Sequence, residues 1–173
     1  METAIVSIIC IALVVFGGMT MSQGFLTSVD TTTSSLEVMS NQSRNIMRTE
    51  ITATAYSSAG VGEYLNIRVS NTGQTKLADF SKWDFIVQYY DDASIYHVTW
   101  LPYTEGVPGV NQWHKTGIYL ASGDPEAFEP NILNPGEEIR VQARLSPPFN
   151  KDDVNLAVIS TQNGIPTSIV FER

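Results

Sequence analysis

The chain has 173 residues and a formal net charge of −8, and its pI is near 4.6. Lys and Arg together number 10 and are scattered singly, so no basic cluster is present to neutralise phosphates. This acidic balance argues against nucleic acid or anionic lipid as the partner. The single cysteine, Cys10, excludes an intrachain disulfide.

The first predicted element is an uncharged, strongly apolar helix over residues 3–29. No basic residue precedes it and it is longer than the apolar stretch of a secretory signal peptide, so we interpret it as part of the working protein. At about 1.5 Å per residue it extends roughly 40 Å, which is enough to cross a bilayer. Length alone does not separate a membrane anchor from a helix that leaves the membrane and packs with its copies in a filament.

The helix is predicted to continue to about Arg48. Beyond Gly24, apolar residues recur on one side of it, at Leu26, Val29, Leu36, Met39 and Ile46. Residues 31–35 are all Thr or Ser, which are poor helix formers. Either packing holds this stretch helical or a bend occurs there.

After residue 50 apolar and polar residues alternate, which is the period of a β-strand. Strands are predicted at residues 51–56, 64–69, 83–90, 95–100, 139–145, 154–159 and 165–171, with turns at 71–73, 134–137 and 163–164. Residues 101–130 are rich in Gly and Pro and predict a long loop with one short strand at 117–120. A series of short strands without an amphipathic helix is typical of an immunoglobulin-like antiparallel β-sandwich. The predicted fold class is α+β, with an N-terminal helical domain at 1–50 and a β-sandwich domain at 51–173.

The sequence contains few candidates for catalysis or metal binding. His97 is predicted in a strand and His114 in the loop beside Trp113, and neither has the spacing of a metal ligand or a nucleophile's partner. Paired carboxylates at residues 91–92, 137–138 and 152–153 do not match a calcium loop, so we interpret them as solvated turn residues. Bridging of copies by a divalent ion stays open. We expect no enzymatic activity, no resident metal and no cofactor.

Small residues and one modification motif lie on the predicted helix. Gly17, Gly18 and Gly24 would let the backbones of neighbouring helices approach closely, although local flexibility or a kink is an equal alternative. Asn41 begins an Asn-Gln-Ser triplet, which fits the acceptor pattern for N-glycosylation. Because such triplets also arise by chance, the modification at Asn41 is an open possibility.

The N-terminal pattern resembles a known family. The apolar run of residues 5–16, the small residues after it, the triplet Gly24, Phe25 and Leu26, and a polar helical continuation into a β-domain are similar to the archaellins. These are the subunits of the archaeal-type flagellar filament, and they combine the type IV pilin helix with an immunoglobulin-like outer domain. The resemblance covers roughly residues 4–55, and the turns at residues 69–73 and 133–137 are similar to the family in style.

This resemblance implies a homo-polymer: an extracellular, archaellum-like filament used for swimming, with apolar helices inside and acidic sandwiches outside. It implies that Glu2 pairs with a neighbouring N-terminal amine, and that the partners include an archaellum motor and assembly platform and a prepilin peptidase. It also implies transient residence in the membrane before assembly. The implied filament core consists of Ile5, Ile8, Ile9, Ala12, Leu13, Val15, Phe16, Gly17, Gly18, Gly24, Phe25 and Leu26.

Other functions fit the same pattern. The chain could be a type IV pilus-like adhesion pilin, or a stator or minor subunit whose sandwich lies just outside the membrane. From a different class, it could be a membrane-anchored binding module that holds a ligand through residues 101–130. Trp100, Tyr103 and Trp113 would then be the contacts, because aromatic residues in exposed loops are enriched at recognition sites.

Overall fold

A computed structural model describes residues 2–55, 62–150 and 153–172. Its contacts divide the chain into two compact units, Met1–Arg44 and Asn45–Arg173. The predicted domain boundary at residue 50 stays a prediction.

The N-terminal helix, α1, runs unbroken from Glu2 to Met47, which confirms the predicted continuous helix. The Thr- and Ser-rich stretch stays helical, and several of its hydroxyls donate to carbonyl oxygens one turn back. The Oγ1 atoms of Thr31 and Thr32 lie 2.8 Å from their acceptors, and Oγ of Ser35 lies 2.9 Å from its own. These bonds satisfy the hydroxyls within the helix, so the stretch needs no water to do so.

Eight strands follow: β1 Ile51–Ala55, β2 Tyr64–Asn71, β3 Asp84–Tyr90, β4 Tyr96–Leu101, β5 Gln112–Tyr119, β6 Glu138–Arg144, β7 Asn155–Ser160 and β8 Pro166–Phe171. A short 3-10 turn, Phe80–Lys82, precedes β3. The last residue of the first predicted strand, Tyr56, lies outside the described residues. The short strand predicted at 117–120 is wrong in extent, because β5 already begins at Gln112 and carries an irregularity between Lys115 and Gly117.

The strands form two antiparallel sheets, with orders β1-β2-β6-β5 and β4-β3-β7-β8. This is the immunoglobulin arrangement, in which one sheet contains β1, β2, β5 and β6 and the other contains β3, β7 and β8. Here β4 is added at the edge of the second sheet. The predicted sandwich is therefore confirmed. The two sheets also meet at a polar contact, where the backbone N–H of Ala53 donates to Oγ1 of Thr167 over 3.2 Å.

The core lies between the sheets and is built by alternation. In β3, Phe85, Val87 and Tyr89 are buried while the residues between them are more exposed. Trp113 of β5 is fully buried and packs edge-on against Phe85, with ring centroids 5.9 Å apart. The interpretation of Trp113 as an exposed loop contact is therefore wrong, and His114 lies in strand β5 and not in a loop.

Two of the paired carboxylates are structural, so their interpretation as solvated turn residues is wrong. Asp91 is almost buried at the β3–β4 turn, where it accepts hydrogen bonds from the backbone N–H of Ala93 and Ile95. Its Oδ2 also lies 2.8 Å from Nε2 of His97. Glu137 is buried to the same degree and accepts from the backbone N–H of Asn134 over 2.7 Å. Both carboxylates hold turns together.

The chain segment that leaves the helix is bonded to the turn after β2. The backbone N–H groups of Thr72 and Gly73 donate to the carbonyl of Glu50, each over 3.0 Å, and that of Gln74 donates to the carbonyl of Arg48 over 2.8 Å. A Cβ at Gly73 would lie 2.5 Å from the Glu50 nitrogen and 2.6 Å from the Arg48 oxygen. Only glycine permits this close approach of two backbones.

We predict that Gly73→Ala destabilises the sandwich by about 1–3 kcal/mol, because the backbone atoms that its methyl group meets cannot move aside as a side chain can. The measurement is thermal unfolding of the full chain in detergent, followed by near-ultraviolet circular dichroism. Gly109→Ala is the control, since the atom nearest its added Cβ is the flexible side-chain end of Gln112. Equal losses for the two variants would contradict this account.

A second prediction concerns acid. Hydrogen bonds from His97 and from the backbone of Ile95 and Ala93 hold the pKa of Asp91 below its usual range. This stabilisation is present above the usual carboxyl pKa and is lost as the pH falls through the lowered value. When the pH is lowered from 7 to 2, the melting temperature of Asp91→Asn should therefore fall by less than that of the parent. Identical pH profiles for Asp91→Asn and the parent would refute the role of Asp91.

Candidate polymerisation surface

The apolar helix has no cover within its own chain. Every side chain described from Thr3 to Met47 is exposed, including large ones such as Leu13 at 67% and Phe16 at 70%. In residues 4–16 apolar side chains occupy all sides of the helix and not a single stripe. A helix that is apolar all round is normally buried, in protein or in lipid.

The structure places every predicted filament-core residue on this exposed helix. The large ones are Ile5, Ile8, Ile9, Leu13, Val15, Phe16, Phe25 and Leu26, and Ala12 and the three glycines are exposed among them. Asn41 is exposed on the same helix. The side chain of Glu2 lies outside the described residues, so its predicted pairing stays a prediction.

The glycines have no explanation inside the chain. A Cβ added at Gly17, Gly18 or Gly24 would meet nothing within 4 Å. Glycine in a helix interior costs about 1 kcal/mol relative to alanine, and the helix is unbroken at all three positions. A close approach by another molecule is what would make glycine useful at these positions.

The rest of the described chain offers little else as a site. No group of three His, Cys, Asp or Glu side chains in the described ranges could hold a metal ion. His97 is hydrogen-bonded to Asp91. Burial lowers the pKa of His114, and a hydrogen bond with Gln142 partly offsets this lowering. Of the aromatic residues predicted as ligand contacts, Trp113 is in the core, and the ring of Tyr103 packs against it with ring centroids 4.9 Å apart. Trp100 is exposed.

Sequence reasoning missed a second apolar surface, the outward face of sheet β4-β3-β7-β8. Val98, Trp100 and Val170 are exposed there, and Phe128 is exposed elsewhere, on the loop after β5. The alternation of residues 96–100 was the available signal, but in β4 the apolar residues Val98 and Trp100 face outward, whereas His97 stacks on the buried Tyr89, so the usual assignment of the apolar face to the core fails there.

An uncovered apolar helix followed by a well-packed acidic sandwich defines a subunit that other molecules must complete. Among the described residues, one helix, Thr3–Met47, is long and apolar enough to cross a membrane. The sequence matches the family model for archaeal-type flagellin over residues 1–171, and the chain belongs to this family. Its members are structural subunits of the archaeal-type flagellar filament, and this is the function of the chain.

Solved structures share the fold at low identity. The archaeal flagellum of Methanospirillum hungatei is 18% identical, with a TM-score of 0.53 over 99% of this chain and 91% of that one. The archaellum periplasmic stator protein complex FlaF and FlaG from Sulfolobus acidocaldarius is 17% identical, with a TM-score of 0.50 over 70% of this chain and 87% of that one. No curated protein matches the sequence.

We predict that Val14→Glu abolishes assembly, because a charge at the centre of an apolar helix costs about 2.5–3.5 kcal/mol in a membrane and remains unpaired among apolar neighbours. The measurement is the amount of chain in the sedimentable fraction sheared from cells. Val107→Glu makes the same change at an exposed valine of the sandwich and should assemble normally. Normal filaments from Val14→Glu would show that the helix is not buried at this position.

Proposed function

We propose that copies of this chain polymerise through helix α1, and that the residues from Ile5 to Leu26 form the packed core of the filament while the acidic sandwiches face water. The observation that carries this proposal is the complete exposure of an apolar helix in the single chain. Each large apolar side chain contributes roughly 1.5–3 kcal/mol when buried. The sum over the helix far exceeds the usual stability of a domain, so the helix does not remain in water.

Lipid and other helices could both cover such a surface, and the glycines favour other helices. In lipid, Gly17, Gly18 and Gly24 would gain nothing over larger residues, whereas between helices they permit close backbone packing. The internally bonded hydroxyls of Thr27 and Thr31 leave no unpaired donor when the helix is buried, in lipid or between helices. We propose that the helix occupies the membrane first and the filament afterwards.

The role proposed is structural and not catalytic. The apolar helix serves assembly and the bonded turns serve folding, and we assign no cofactor or metal to the chain. Membership of the flagellin family supports an extracellular filament, and it supports a motor and assembly platform and a prepilin peptidase as partners. We propose swimming as the filament's purpose, with a static adhesive filament or a membrane-anchored stator module as the alternatives.

The test of the proposal is whether a larger residue at Gly18 damages the polymer. Helix propensity alone predicts that Gly18→Ala stabilises the helix by about 1 kcal/mol. Close packing predicts instead that Gly18→Ala weakens the filament and that Gly18→Leu prevents its assembly. The measurement is electron microscopy and mass spectrometry of material sheared from cells, with the membrane-bound chain quantified alongside. Met21→Leu changes an exposed helical side chain at nearly constant volume and is the control.

The outcomes separate the candidate functions. Uniform filaments composed mainly of the parent chain, and membrane-bound but unassembled Gly18→Leu, would support the polymer. Retention of the parent chain in the membrane without filaments would support the anchored module. Filaments from Gly18→Leu as stable as those of the parent would contradict close helix packing at this position. A motility assay then distinguishes swimming from adhesion.

A further inference from the structure

The two sheets of the sandwich differ in what they present to solvent. The outward face of sheet β1-β2-β6-β5 carries polar and charged residues such as Asn66, Arg68, Arg140 and Gln142. This is the usual solvated face of an antiparallel sheet. The outward face of sheet β4-β3-β7-β8 is instead apolar. On its edge strand β4, Val98 is 61% exposed and Trp100 is 56% exposed.

Strand register joins these side chains into one patch. Trp100 is paired with Ile86, and Ile86 is paired on its other side with Val158, so the three share one row across the sheet. In the next row Leu156 is paired with Val170. Directly paired residues lie about 4.5–5.5 Å apart on the same side of a sheet. The apolar surface therefore extends over all four strands, and we name it the outer face.

The outer face carries almost no charge, although the chain has a net charge of −8. Among the outward-facing residues of its four strands, Asp84 is the only ionised one, and it accepts a hydrogen bond from Nε1 of Trp100 over 3.0 Å. The amide oxygen of Gln88 accepts from the hydroxyl of Tyr96 over 2.8 Å. The part of the face away from Asp84, around Val98 and Val170, carries no charge, so it can lose its water without burying a charge, which favours a stable protein interface.

A second apolar group is held out from the same sandwich. Phe128 is 95% exposed, and the loop that carries it is fixed. One carboxylate oxygen of Glu126 accepts from the backbone N–H of Phe128 over 2.6 Å and from that of Glu129 over 3.2 Å. Glu129 in turn pairs with Nζ of Lys76 at 3.0 Å. The carboxylates beside Phe128 are thus already bonded, and the ring projects from an ordered base.

We infer that Phe128 of one copy packs on the outer face of the next copy, around Val98 and Trp100, and that this contact links the sandwiches along the filament. The inference rests on the proposed function, which places copies beside one another. Copies with this much negative charge repel each other, so uncharged side chains are favoured at the contact, and Phe128, Val98 and Trp100 are uncharged. The high exposure of Phe128 shows that it does not cover the face of its own chain.

The contact has the geometry that a filament requires. Phe128 follows β5 of one sheet, whereas the outer face belongs to the other sheet, so the two surfaces of the contact are different parts of the chain. After two copies bind, one of them still has a free outer face and the other still has a free Phe128. Such a heterologous contact continues into an open chain unless the rotation closes it into a ring. A buried aromatic ring is also the residue type that contributes most at protein interfaces.

The test is cross-linking within filaments. Cys10 is first replaced by alanine, and Val98→Cys and Ala127→Cys, which is exposed beside the Phe128 ring and leaves that ring in place, are introduced singly and together. Sheared filaments are treated with a short bismaleimide and separated under denaturing conditions. The double variant should give a ladder of dimers, trimers and longer products, whereas each single variant should stay monomeric. Val98→Cys combined with Val107→Cys, at an 84% exposed loop position, is the control and should give no ladder.

Each other result overturns the inference. Dimers from Val98→Cys alone would show that two outer faces meet each other, and a ladder from the control pair would show that the reaction is unspecific. Intact filaments without cross-links would refute this contact and leave the polymer standing, whereas absence of filaments from the cysteine-free parent would refute the polymer as well. If only the double variant fails to assemble, coexpressed single variants must give cross-linked dimers for the inference to stand.

Discussion

The constraint on which this protein depends is that its first helix is too apolar for water and its own chain leaves it uncovered. The exposed residues from Ile5 to Phe25 are of the size and chemistry normally found in a domain core. Folding of the single chain therefore leaves the largest apolar burial unmade. That burial is completed by lipid or by other copies, and this gives membrane insertion and polymerisation a common physical basis.

The sandwich has the opposite character, since its apolar core is buried between its own two sheets. Several of its buried polar groups are bonded at the turns: the side chain of Asn71 donates to two backbone carbonyls and accepts from the backbone N–H of Gly73, and Asn155 accepts from the backbone N–H of Tyr90. Its charges lie mostly on one sheet and on the loops. A domain of this kind folds around its own core and leaves assembly to surfaces that can be varied separately, the helix and the outer face.

Much of the fold could be predicted because the relevant signals are local. The uncharged run from Thr3 to Val29 predicts a helix, strict alternation predicts β6, and a short apolar run predicts β7. The extent of β5 could not be predicted, because Gly117 and the irregularity before it break the alternation. Trp113 looked like a loop residue for the same reason, although it is the centre of the core.

The site was predictable only in part. Composition and length identify the apolar helix, and the resemblance to archaellins identifies its use. The structural roles of Asp91 and Glu137 depend on backbone N–H groups that a turn brings together, which no residue pattern shows. The outer face could not be distinguished from the core face, because β3 and β7 have apolar residues on both sides and the apolar residues of β4 point outward.

The most direct test of the central claim uses Cys10, which lies exposed on the apolar helix of the single chain. Filaments sheared from cells and freed of membrane by washing are treated with a water-soluble maleimide before and after denaturation. If neighbouring helices cover this surface, Cys10 is unreactive in intact filaments and reacts fully once they are denatured. Full reaction of Cys10 in intact filaments would contradict a packed helical core.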